Sequence, residues 1–143
     1  MKTIALRFSD NIAPRGGTIS EHKKIIDKFG YVWYGKFGAR VSEKIKTVIL
    51  ESNDKKILLI HSGKSNRYWF HIEDICYETP ELITIPEYYR DMAKTIKTWF
   101  KVTKIENAAK NVMSKCTIAS SGNPLTIASS HSMSPYFVIE YNE

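Results

Sequence analysis

Short apolar runs separated by polar turns set the rhythm of this chain. Residues 3–8 are an apolar run of strand length. A loop follows at 11–17, marked by Pro14 and the Gly16-Gly17 pair. Thr18 and Glu21 have the spacing of a capping box. Behind them Ile19, His22, Ile25, Ile26 and Phe29 fall on one face of a helix over 19–29, which Gly30 ends. Residues 31–37 alternate large side chains around Gly35 and predict a strand, with Tyr31, Trp33 and Phe37 on one face and Tyr34 and Lys36 on the other. Ser42 caps a second, short helix carrying Ile45, Val48 and Ile49. Residues 57–61 form a continuous apolar strand, 62–67 a turn, and 68–77 a strand of roughly alternating character. Then come a proline-bounded loop at 79–86, one or two helical turns at 87–93, a strand at 99–105 and a short helix at 107–115. The stretch 120–134, rich in Ser, Gly and Pro, is undecided, and a strand at 136–141 closes the series.

The order is β, α, β, α and then mostly strands. It predicts an α/β (α+β) domain with a curled mixed or antiparallel sheet, a small barrel with helices on its outside. There is no internal repeat and no linker, so residues 1–143 read as one domain. A chain of this length buries roughly 70% of its unfolded surface and needs no staple. The composition, 43% apolar and 25% charged, is that of a globular protein. The net charge of +6 changes the picture, because a basic surplus speeds encounter with a polyanion and is the electrostatic footprint of a nucleic-acid binder. No apolar run approaches the roughly 18 residues of a membrane span. The first ten residues lack the apolar stretch of a signal peptide, so the expected location is the cytoplasm.

Signatures of catalysis are scarce. The chain has no Gly-rich dinucleotide motif, no Walker lysine loop and no nucleophile elbow. Cys76 and Cys116 match no metal or redox spacing and read as buried, reduced thiols. His22, His61, His71 and His131 lack the spacing of a zinc site, so neither a metal nor a cofactor is expected. Glu73 and Asp74 are adjacent in a strand and point to opposite faces, which keeps them from sharing a substrate.

Aromatic and basic residues are interleaved in two places. Tyr31, Trp33, Tyr34 and Phe37 surround Gly35 and Lys36, and Arg67 precedes Tyr68, Trp69, Phe70 and His71. Bases stack on aromatic faces and nearby cations hold phosphates, which makes Lys36, Arg40, Lys64 and Arg67 candidate phosphate ligands. Strand aromatics are more often core. Yet Trp33 and Tyr34, like Trp69 and Phe70, point to opposite faces, so one of each pair must look away from a one-sided core. The loops His61-Ser62-Gly63-Lys64 and Ser120-Ser121-Gly122-Asn123 offer hydroxyl, amide and backbone groups suited to a base edge, with Ser121 a candidate, although plain turns explain them as well.

The succession of elements, with Ile60-His61-Ser62 ending a strand and Trp99 to Lys104 opening another, resembles the EVE domain and its relatives in the PUA-like superfamily, which includes the YTH domains. That resemblance covers nearly the whole chain. It implies a compact barrel whose pocket takes a flipped, often methylated base between aromatic walls. It places Trp33 and Trp69 in the cage, with His61 and Ser62 at the pocket edge; Tyr34, from the aromatic cluster itself, is a further base-binding candidate. It also implies a DNA or RNA partner and a role as the specificity module of a McrB-like restriction or defence system, fused to or associated with an ATPase or nuclease. Two alternatives stay open. One is an ASCH-like enzyme that hydrolyses a nucleoside or RNA with His61 or His71 and Lys36 or Tyr34. The other is a protein-interaction domain with its aromatics in the core.

Overall fold

A computed structural model describes residues 1–132, 134 and 136–143. Seven strands form one sheet: β1 (Lys2–Phe8), β2 (Val32–Lys36), β3 (Lys56–His61), β4 (Arg67–Cys76), β5 (Thr98–Asn107), β6 (Cys116–Ile118) and β7 (Tyr136–Tyr141). Their spatial order is β2-β5-β4-β3-β1-β7-β6. β1 runs parallel to β3, and every other neighbouring pair is antiparallel. The parallel pair needs a long connection. It is supplied by α1 (Thr18–Phe29), β2 and α2 (Glu43–Leu50).

The sheet is strongly curled. β2 and β7 stand five neighbour spacings apart, which at about 4.8 Å per spacing would separate them by about 24 Å in a flat sheet. Yet Lys36 Nζ at the end of β2 lies 4.5 Å from the centre of the Tyr136 ring at the start of β7. The concave face holds the main core, with Ile4, Leu6 and Phe8 of β1 facing Val32 and Tyr34 of β2 and Phe70 and Phe100 beneath. α1 and α2 add Ile19, Ile25, Ile45 and Ile49 to it. Two smaller clusters cover the convex face. One gathers Ala5, Leu58, Ile60, Trp69 and Leu125. The other packs Trp99 and Trp33 against a 3-10 helix at Glu87–Thr95. Gly35 makes that second contact close: a Cβ there would lie 2.9 Å from both Ile96 Cδ1 and Trp99 Cζ3.

The curled α+β architecture is the predicted one, with four local differences. Thr18 is the first helical residue and not the cap. Gly17 caps α1 without a side chain, and the Asp10 carboxylate accepts the Thr18 N–H at 2.8 Å instead, from a loop that sequence spacing does not reveal. Phe37 lies one residue beyond β2, so strand alternation no longer governs it, and it joins Tyr34 and Lys36 on their side. The helix expected at 107–115 is only a 3-10 turn at Val112–Lys115, which runs directly into the unpredicted β6. The undecided stretch 120–134 contains α3 (Leu125–His131), and its position 133 lies outside the described residues.

Candidate functional site

A cavity of about 400 Å³ opens where the end of β1, the end of β2 and the Glu87–Thr95 helix converge. That size suits a small ligand or a single base. Its walls are largely aromatic: Phe8 from β1, Tyr34 from β2, Phe37 just after it, and Tyr88 and Tyr89 from the 3-10 helix. The rings brace one another. Tyr88 and Tyr89 have centroids 4.7 Å apart, Phe37 meets Tyr89 edge-on at 5.9 Å, and Tyr34 meets Phe70 edge-on at 5.4 Å. Ile12 (47% exposed) and Phe37 (45%) mark the mouth. Polar groups are few and come from the strand ends, the loops and the first residue of α1: Arg7, Ser9, Asn11, Thr18, Lys36 and Ser62.

Asp10 and His61 hold the rim in place. Asp10 Oδ1 caps α1, and its Oδ2 lies 2.6 Å from His61 Nε2. Burial pushes the Asp10 carboxyl up, but the hydrogen bonds from Thr18 and His61 outweigh it and hold the group below its usual value. His61 Nδ1 faces Ser62 O at 3.2 Å, and its ring packs edge-on against Phe8 at 4.6 Å. Both His61 nitrogens therefore face acceptors, which holds the ring in place from two sides. Behind the wall, His22 is fully buried between Tyr34 and Tyr89. Burial lowers its pKa to about 4 despite the hydrogen bond to Thr18 O. Burial also raises the hydroxyl pKa of Tyr34, Tyr88 and Tyr89, so all three are neutral phenols at neutral pH.

Lys36 is the one cation among the residues lining this cavity that is buried, at 4% exposure. Its ammonium donates to Phe37 O at 3.1 Å and Ala39 O at 2.6 Å and sits over the Tyr136 ring. None of the ion pairs among the described residues includes it. Burial lowers its pKa. The Tyr88 hydroxyl, in the same wall, is close to Thr18 and Tyr89.

The residues singled out from sequence are divided among four places. Tyr34, Lys36 and Ser62 line the cavity. His61, Ser62, Lys64 and Arg67 line a shallower neighbouring groove, joined to the cavity through Arg7 and Ser62. Arg67 there is held by Met113 Sδ and by the carbonyls of Lys64 and Asn66. Arg7 is tied to the carbonyls of Ser129, Ser132 and Ser134 and so fixes the end of α3. Trp33 and Trp69 do not form a cage. Neither lines the cavity: Trp69 belongs to the cluster around Leu58 and Leu125, and Trp33 to the one around Trp99, which meets the cavity wall through Tyr88 and Tyr89. Arg40 sits over Tyr77, 4.3 Å from its ring centre, on that Trp33 side of the molecule. Ser121 is in an exposed turn, where its hydroxyl accepts the Asn123 N–H. Of the five aromatics that build the cavity, the sequence points to Tyr34 as a base ligand and to Phe37 only as part of its cluster, and it does not mark Phe8, Tyr88 or Tyr89. The Tyr88-Tyr89 pair behind Pro86 was the available signal, hidden because a 3-10 helix gives no clear periodicity.

A family model described as Pua-like matches residues 4–136. No curated protein and no solved structure matches the chain.

Proposed function

The chain belongs to the Pua-like family, and from that premise we propose that it is a nucleic-acid reader that takes one extruded base into the cavity between β1, β2 and the Glu87–Thr95 helix. Family membership points to nucleic-acid binding in general. The base-reading step is carried by the cavity itself, a pocket of single-base size with five aromatic side chains and a few polar groups around it. Stacking on such walls is worth about 1–3 kcal/mol per base, enough to offset the few kcal/mol of extrusion. The neighbouring groove with Lys64 and Arg67 is the natural track for the flanking phosphates. The reading extends to methylated and hydroxymethylated bases and, by the EVE-like resemblance, to a specificity role in a restriction or defence system.

Binding is favoured over catalysis because the cavity lining is aromatic and has no histidine, carboxylate or thiol among the described residues. His71 is on the convex face with Glu106, 2.5 Å from its carboxylate, and cannot reach Lys36 or Tyr34. The test is fluorescence anisotropy with short oligonucleotides carrying plain, methylated or hydroxymethylated bases at two salt concentrations. Phe37→Ala, at the exposed mouth, should weaken binding about tenfold, the loss of one stacked face. Unchanged binding by that variant, or turnover of a nucleoside panel that is lost on His61→Ala, would overturn the reading.

A further inference from the structure

We propose that Lys36 sets the choice of base, by demanding a carbonyl oxygen where adenine or cytosine carries an amine. This inference rests on the base-reading function above and adds the class of ligand.

An ammonium group has three N–H donors and no lone pair. Two of those donors are spent on Phe37 O and Ala39 O, and the charge also rests on the Tyr136 ring. These contacts fix the position of Nζ before any ligand arrives. They leave one donor on a side chain that lines the cavity and has no carboxylate partner among the described residues. A base oxygen placed there accepts a charge-assisted hydrogen bond. An exocyclic amine placed there sets donor against donor, beside a charge that has already lost its water. The Tyr88 hydroxyl, close to Thr18 and Tyr89, is a second polar group in the same wall. As both donor and acceptor it can serve the remaining edge of the base. The competing explanation is that Lys36 only staples the turn after β2. A staple would affect folding without affecting which base binds.

Two matched pairs of single-stranded oligonucleotides separate these explanations. One pair differs only in inosine against adenosine at the central position, the other in uridine against cytidine. Titration calorimetry on the full chain should show the oxo member of each pair bound at least tenfold more tightly. Lys36→Met should bring both ratios to one. Lys36→Gln, whose amide can present either a donor or an acceptor, should level the pairs while keeping the fold, checked by circular dichroism. Equal binding of both members by the wild-type protein overturns the inference and leaves base reading standing, as does a ratio that survives in either variant. Failure of every oligonucleotide to bind overturns the base-reading function itself, and this inference with it.

Discussion

Two buried lysines, placed on opposite faces of the same sheet, have opposite surroundings. Lys36 and Lys56 are 4% and 8% exposed, and each ammonium sits 4.5 Å from an aromatic ring centre, Tyr136 in one case and Trp69 in the other. Lys56 has a carboxylate, Asp54, at 3.0 Å. Lys36 has only backbone carbonyls. The ring beneath Lys56 is in a packed cluster, whereas Lys36 faces a cavity. Burial and an aromatic neighbour thus do not mark a binding cation. What marks it is charge left without a counter-ion next to open space, because a buried charge is stable only when something compensates it. By this measure the Lys56–Trp69 side is structural, and the Lys36 side is where we propose that the ligand binds.

The comparison breaks if the structural side proves dispensable. Trp69→Ala removes a buried ring from the convex cluster and should cost about 3–5 kcal/mol in urea denaturation. A loss below about 1 kcal/mol would place Trp69 outside the core. Acid should act on the cavity side. The pKa of His22 is lowered from 6.5 to about 4, so the unfolded chain takes up its proton first. His22 therefore contributes full stability above pH 6.5 and loses it as pH falls towards 4, about 3 kcal/mol over that window. His22→Gln should flatten the pH dependence of urea midpoints between 6.5 and 4, and an unchanged slope would assign it to other groups. Asp10, whose carboxyl is held low, keeps its contribution above its unfolded value and loses it only at more acid pH, so the two windows are distinct. Lys56→Met should cost about 1 kcal/mol, since Asp54 is half-exposed and regains water, and should leave oligonucleotide affinity unchanged. The smallest effect sharpens the contrast most. Trp33→Ala trims a partly exposed ring on the convex face and should leave base binding unchanged in anisotropy titrations.

Much of the fold was legible because it follows from periodicity. The apolar face of α1, the Ser42 cap of α2 and the strands at β1, β3, β4 and β7 all carry a local signature, and Ser42 does accept the Ile45 N–H. The site was legible only where it coincides with such a strand. Tyr34 and Lys36 were correctly set on one face of β2, opposite Trp33. Which of those faces borders a cavity depends on the curl of the sheet and on what the Glu87–Thr95 helix covers, both long-range facts. Trp33 and Trp69 are cage candidates only if the core is one-sided, but the convex face has two clusters of its own that cover them. Asp10 escaped notice for a related reason. Its partners, Thr18 and His61, are eight and fifty-one residues away, and only the fold brings them within reach.

The position of β1 has a consequence for the order of assembly. It lies between β3 and β7, and its register with β7 pairs Lys2 with Glu140 and Leu6 with Tyr136. Nearly the whole sequence separates those partners, so the ladder can close only after most of the chain has collapsed, and topologies of this kind fold slowly. The Tyr136 ring that supports Lys36 arrives with that ladder. A folding intermediate that lacks β7 would have the Trp33–Trp99 cluster formed, the Trp69 cluster without Ile139 and Tyr141, and the lysine unsupported. In pulse-labelling hydrogen exchange, amides of β4 and β5 should be protected well before those of β1 and β7, and binding competence should appear with the later phase.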